Sequence, residues 1–148
     1  MYRYVEDGKS FILVDGRDVD VPRLRSPRSV HDLCLVHGVD GIGVLDRSDR
    51  ADFRAGFLDA DGRPLQGRIL DGAVMCSVAF ADLVGVKPFH STEYTVEEGG
   101  RLLPARILSH LGECKVVELS GTRHAFCGIP ADNSGPLTGD TLCQGEVE

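Results

Sequence analysis

The chain has 148 residues, 42% of them hydrophobic and 26% charged, with a net charge of -7. A chain of this length buries roughly 70% of the surface its unfolded form exposes, enough for one core. The negative balance argues against nucleic acid, whose binding rests on basic patches, and no apolar run reaches the ~20 residues that span a bilayer. The opening residues MYRYVEDGKS carry neither the basic segment nor the apolar stretch of a signal peptide, so a cytoplasmic protein is expected.

The cysteines are Cys34, Cys76, Cys114, Cys127 and Cys143. Their number is odd, no C-x-x-C occurs, and none has metal-ligand spacing to a histidine. The expectation is reduced thiols, no disulfide and no metal.

In chain order, residues 2–5 and 10–14 read as strands around a turn at Gly8. Residues 17–28 form a charged connection. Ser26-Pro27 then suits a helix start, with Ser as N-cap and Pro at the first helical position, running to about Val36 and stopping near Gly38. Residues 42–45 and 53–58 are predicted strands separated by a polar turn. After a central helix closed by Gly85 and Pro88, residues 93–97, 101–108 and 114–119 read as a meander. Its turns fall at Gly99-Gly100 and Gly112, with Val96, Leu102 and Ile107 facing inward. Residues 123–129 read as one more strand. Residues 131–148 carry few apolar side chains and are expected to be a flexible tail after a single domain spanning 1–130.

The central helix carries the most information. Between Ala73 and Val84 only Ser77 and Asp82 are polar. A helix apolar all round is buried on every side, and the flanking segments that must cover it are mostly strands. The predicted fold is therefore α+β, a mixed sheet wrapped around one buried helix. Asp71-Gly72 reads as that helix's start, with Asp71 as N-cap, and it follows the acidic turn at residues 59–62.

Residues 11–120 resemble the N-terminal half of the diaminopimelate epimerase family. The resemblance rests on GKSFILVD (8–15), GVDG (38–41), DADGR (59–63) and ILDGAV (69–74). These stand, in order, for the family's G-N-D-F-V-V-V-D-like, G-A-D-G, N-A-D-G-S and C-G-N-G-A-R segments. The resemblance implies a domain whose helix N-terminus grips a substrate carboxylate. It also implies that residues 123–129 are the strand returning to complete the sheet. Those epimerases use two domains and a catalytic cysteine from each. Here one domain is present, and Ile69 stands where the first cysteine falls.

Three residues are candidates for acid–base work: Asp71, Asp59 and His124. Asp59 and Asp71 fall where the resemblance implies substrate-contacting asparagines. Two carboxylates there repel a carboxylate and attract an ammonium, and proximity raises the pKa of one of them. The bland reading makes Asp71 a cap and Asp59 a turn residue. Lys9, Ser10, Gly72 and Ala73 are candidate substrate contacts, the last two through backbone N–H groups at the helix start. Cys76 reads as core. Two functions remain open. One is a cofactor-independent isomerase-type enzyme acting on a small amine- or amide-bearing metabolite, with a homodimer restoring the two-domain cleft. The other is a non-catalytic relative that binds a small molecule or a partner protein.

Overall fold

A computed structural model describes residues 1–6, 8–17, 26–88, 91–111 and 114–131. The tail expected at 131–148 lies outside these residues, apart from Ala131, whose N–H donates to the Met1 carbonyl at 2.9 Å.

Among the described residues nine strands form one sheet: β1 (Tyr2–Glu6), β2 (Lys9–Asp15), β3 (Gly41–Asp46), β4 (Phe53–Asp59), β5 (Glu93–Glu98), β6 (Arg101–Leu111), β7 (Cys114–Leu119), β8 (Thr122–Cys127) and β9 (Ile129–Pro130). Their spatial order is β8-β7-β6-β5-β4-β3-β2-β1-β9. The β2/β3 and β4/β5 pairs are parallel and the others antiparallel. Only Gly128 separates β8 from β9, yet the two lie at opposite ends of that order, so the sheet curls until its ends meet. Gly128 makes this crossing possible, since a Cβ there would stand 2.6 Å from the Tyr4 hydroxyl.

Among the described residues two helices complete the fold, α1 (Pro27–His37) and α2 (Arg68–Leu83). As predicted, Ser26 caps α1 by accepting from the Ser29 N–H, and Gly38 ends it in the left-handed conformation. The sheet wraps around α2, which touches β1 through β8. All residues of α2 from Gly72 to Asp82 are buried. Met75, Val78 and Phe80 pack against Phe11, Phe53, Val96, Ile107, Val117 and Phe126. On the other face of the sheet, α1 lays Val30 and Cys34 on Ile12, Ile42, Val44 and Leu58. Strands β2 and β3 are thus covered on both faces. That is why FILV and IGVL read as unbroken apolar runs rather than alternating ones.

Three expectations need correction. The central helix begins one turn earlier than Asp71, because Gly67 (φ 73) supplies the break while Ile69 and Leu70 pack on the core and keep the first turn helical. Leu102 points outward. The inward phase of β6 belongs to Leu103, Ala105 and Ile107, and two adjacent leucines left that phase ambiguous. Cys114 and Cys127 form a disulfide. They are direct partners across the β7–β8 hairpin, whose two-residue turn at Ser120-Gly121 pairs Leu119 with Thr122 and sets every later pair.

Candidate functional site

No side chain among the described residues caps α2. The Gly67 carbonyl takes the N–H groups of Leu70 and Asp71, at 3.1 and 3.4 Å, and so closes the first turn. The helix therefore presents its start, at Arg68 and Ile69, to an open cleft of 820 Å³. Exposed N–H groups and the helix dipole make such a terminus attractive to anions. One wall comes from α2 itself, with Gly67, Arg68, Ile69, Asp71, Gly72 and Met75. The opposite lining is Arg101 and Leu103 of β6, Leu119 and Ser120 at the end of β7, and Thr122 and His124 of β8.

Strand alternation explains the β8 contribution. Thr122, His124 and Phe126 share one face; Phe126 is buried in the core, with its ring centroid 6.2 Å from that of His124. The first two residues of that face emerge at the cleft. Ser120 adopts φ 52, a left-handed conformation unusual for a residue with a side chain, in the tight β7–β8 turn. Arg101 follows the Gly99-Gly100 turn and donates to Glu98 at 2.6 Å. Glu98, and then Asp71 across the cleft, strengthen the guanidinium's hold on its proton. The mouth thus combines two arginines, one exposed carboxylate, an imidazole and two hydroxyls.

The structure unites only part of the predicted set. Asp71, Gly72 and His124 line the same cleft. Because the helix starts earlier, Asp71 is its fourth residue and exposed, not its cap, while Gly72 and Ala73 are buried within helical backbone. Asp59 is elsewhere. Its Oδ1 accepts the N–H groups of Asp61 and Arg63, each at 2.9 Å, which is turn chemistry. The turn lies against the start of α1, where a Cβ on Gly62 would stand 3.0 Å from Pro27 Cα, and burial, then Asp40 and Asp59, push the Cys34 thiol of that helix up to about 11. Ser10 is buried, its N–H donating to Asp40 Oδ2 at 2.9 Å, and Lys9 is exposed opposite Glu6 in the β1–β2 ladder. Neither lines the cleft.

Arg68, Arg101, Ser120 and Thr122 were missed. Each stands one or two residues from a glycine that breaks an element, and that position was the available signal. Ile69, at the family's cysteine position, is half-buried in the cleft wall, and none of the described residues lining the cleft is a cysteine. A second hollow of 280 Å³ lies along Asp52, Lys87, Glu93, Thr95, Arg106 and Glu118. Within it Lys87 pairs with Asp52 at 3.3 Å and Arg106 with Glu118 at 3.9 Å.

The far end of α2 is pinned by a buried polar cluster. Tyr94 donates to Asp82 Oδ1 at 2.7 Å, and Lys115 Nζ lies 3.2 Å from Asp82 Oδ2. His110 Nδ1 stands 3.7 Å from that same oxygen and 3.4 Å from Lys115 Nζ. Burial alone would raise the Asp82 pKa. The Tyr94 hydroxyl and the Lys115 ammonium outweigh it and hold the carboxyl below its ordinary range. The same burial and hydrogen bond raise Tyr94.

No protein-family model matches the chain. It is 32% identical over 103 residues to the diaminopimelate epimerase of Chlorobaculum tepidum, a match covering 68% of this chain and 38% of that protein. Its fold matches the crystal structure of the Bacillus anthracis phenazine biosynthesis protein of the PhzF family, with a TM-score of 0.58 at 14% identity. That match covers 80% of this chain and 38% of the other. The chain thus spans well under half the length of both.

Proposed function

The chain is a relative of the diaminopimelate epimerase family, and from that premise we propose that it is an isomerase-type enzyme acting on a small amino-acid-like metabolite. The single observation that carries this reading is the convergence of Asp71 and His124, from different elements, on a cleft floored by an uncapped helix N-terminus. The N–H groups of Arg68 and Ile69, with the guanidinium groups of Arg68 and Arg101, hold a carboxylate. Asp71 faces the substrate's amine or amide. One of Asp71 and His124 takes a proton from the carbon next to the carboxylate and the other returns one to the carbon skeleton. Fixed N–H dipoles stabilise the negative charge that gathers on the carboxylate in between. Proton movement of this kind needs no cofactor, and it replaces the two-thiol chemistry that Ile69 rules out at the first cysteine position.

The cleft is open on one side, and a second copy of the chain is proposed to close it as a two-fold dimer, the commonest oligomeric arrangement.

The test is solvent exchange. A panel of amino acids and their amides, incubated with the protein in deuterated buffer, is expected to include a compound that gains deuterium next to its carboxylate. His124→Asn should remove that gain. Ile69 also favours a second reading, a domain that binds such a metabolite without turning it over. Saturable binding with no deuterium gain in any compound of the panel would establish that alternative.

A further inference from the structure

We propose that the Cys114–Cys127 disulfide is a redox-addressed latch on the cleft wall built by β8. Four observations converge on it. The bond lies on the outer face of the hairpin, since the inner-face pairs are Lys115 with Phe126, Val117 with His124 and Leu119 with Thr122. Cys127 is exposed and within reach of a thiol reagent, whereas Cys34 and Cys76 are buried. Strand β8 is anchored in the core by a single side chain, Phe126, its one buried residue. Its Arg123–Glu118 ion pair, at 2.9 Å, is too exposed to contribute much. Finally, Cys127 is the last residue before Gly128, where the chain leaves β7 and crosses to pair with β1 through only Ile129 and Pro130.

The covalent bond therefore sits where the final strand changes partners. The strand it fastens carries Thr122 and His124 to the cleft. The inference concerns the order of that wall and rests on the proposed function only for its consequence.

The chemistry balances with a dithiol as reductant. Its thiolate attacks Sγ of Cys127 and displaces the Cys114 thiolate. Its second thiolate then displaces Cys127, and the reagent leaves as a cyclic disulfide. The protein gains two electrons and two protons and is left with two thiols. The cross-link between the start of β7 and the end of β8 becomes two independent side chains, and β8 keeps its ladder with β7 and the core packing of Phe126.

Amide hydrogen exchange on the full chain, with and without dithiothreitol and after reoxidation, tests the latch without any ligand. A non-reducing peptide map first checks that Cys114 and Cys127 are joined. On reduction, the amides of β8 and of Ile129 are expected to exchange at least tenfold faster, while those of α2 and β2–β4 change less than twofold. Reoxidation should restore the original rates. Cys127→Ser should exchange like the reduced parent and ignore the reagent, while Cys143→Ser should respond as the parent does. Separate cysteine peptides in the map, equal β8 exchange in the two redox states, or acceleration spread over the whole sheet would each overturn the proposal. Because the readout is backbone order, a cleft that binds nothing would defeat the proposed function and leave this result standing.

Discussion

Replacing Lys115 by methionine should expose how much of the fold depends on neutralising one buried carboxylate. Asp82 and Lys115 have side chains only 2% and 8% exposed, with 3.2 Å between Oδ2 and Nζ. Removing the ammonium leaves Asp82 with the Tyr94 hydroxyl at 2.7 Å and a more distant His110 at 3.7 Å. Breaking a buried pair from one side costs about 3–5 kcal/mol. The surviving Tyr94 bond argues for the lower end, roughly 3 kcal/mol, and for a chain of this size a melting point lowered by about 6–12 °C. The double variant Asp82→Asn/Lys115→Met removes both charges and gives Tyr94 an amide oxygen, so it should lose only about 1 kcal/mol. The pH dependence carries a sign. In the parent, Asp82 is held below the ordinary carboxyl range. Its contribution is full above the unfolded value of about 3.9 and is lost as pH falls through the lower folded value. In Lys115→Met burial dominates, the folded value lies above the unfolded one, and stability falls as pH rises through it. Urea melts of Lys115→Met, Asp82→Asn, the double variant and the parent at several pH values measure both effects. A Lys115→Met variant within 1 kcal/mol of the parent, or a double variant as unstable as the sum of its singles, would refute this account of the helix anchor.

Asp59→Asn and Asp71→Asn should part company. The first preserves the turn and should leave stability within about 0.5 kcal/mol and any deuterium exchange within twofold. The second should reduce exchange at least a hundredfold with the fold intact by circular dichroism. Cys76→Ser places a hydroxyl in a fully buried site and should cost about 1–3 kcal/mol in a urea melt, with exchange rates kept. Light scattering at micromolar concentration should return twice the 16.0 kDa chain mass; a monomer mass would remove the second copy from the site.

The fold was legible where side-chain periodicity is decisive. Ser26-Pro27 and Gly38 bracket α1 as expected, and the run from Ala73 to Val84, broken only by Ser77 and Asp82, required a helix enclosed by strands. The site was only partly legible, because a motif fixes position along the chain and not separation in space. Asp59 and Asp71 flank the same loop in sequence, but Asp59 turns into its own hydrogen bonds beside α1 while Asp71 faces β6 and β8. Lys9 and Ser10 failed similarly, since Ser10 is consumed by Asp40 thirty residues away. The Lys115–Asp82 pair and the Cys114–Cys127 bond both depend on strand register. The turn residues encode that register, but it becomes visible only when the hairpin is counted pair by pair.

The central claim is that the cleft at the start of α2 is where a small carboxylate-bearing molecule binds. Two-dimensional amide NMR, titrating glutamate, glutamine and lysine in turn, tests it most directly. The account predicts shifts at Arg68, Ile69, Thr122 and His124 with at least one of these compounds, weakened tenfold or more in an Arg68→Gln/Arg101→Gln variant. Shifts confined to Lys9, Ser10 and residues 59–63, or shifts unaltered by loss of both arginines, would contradict it.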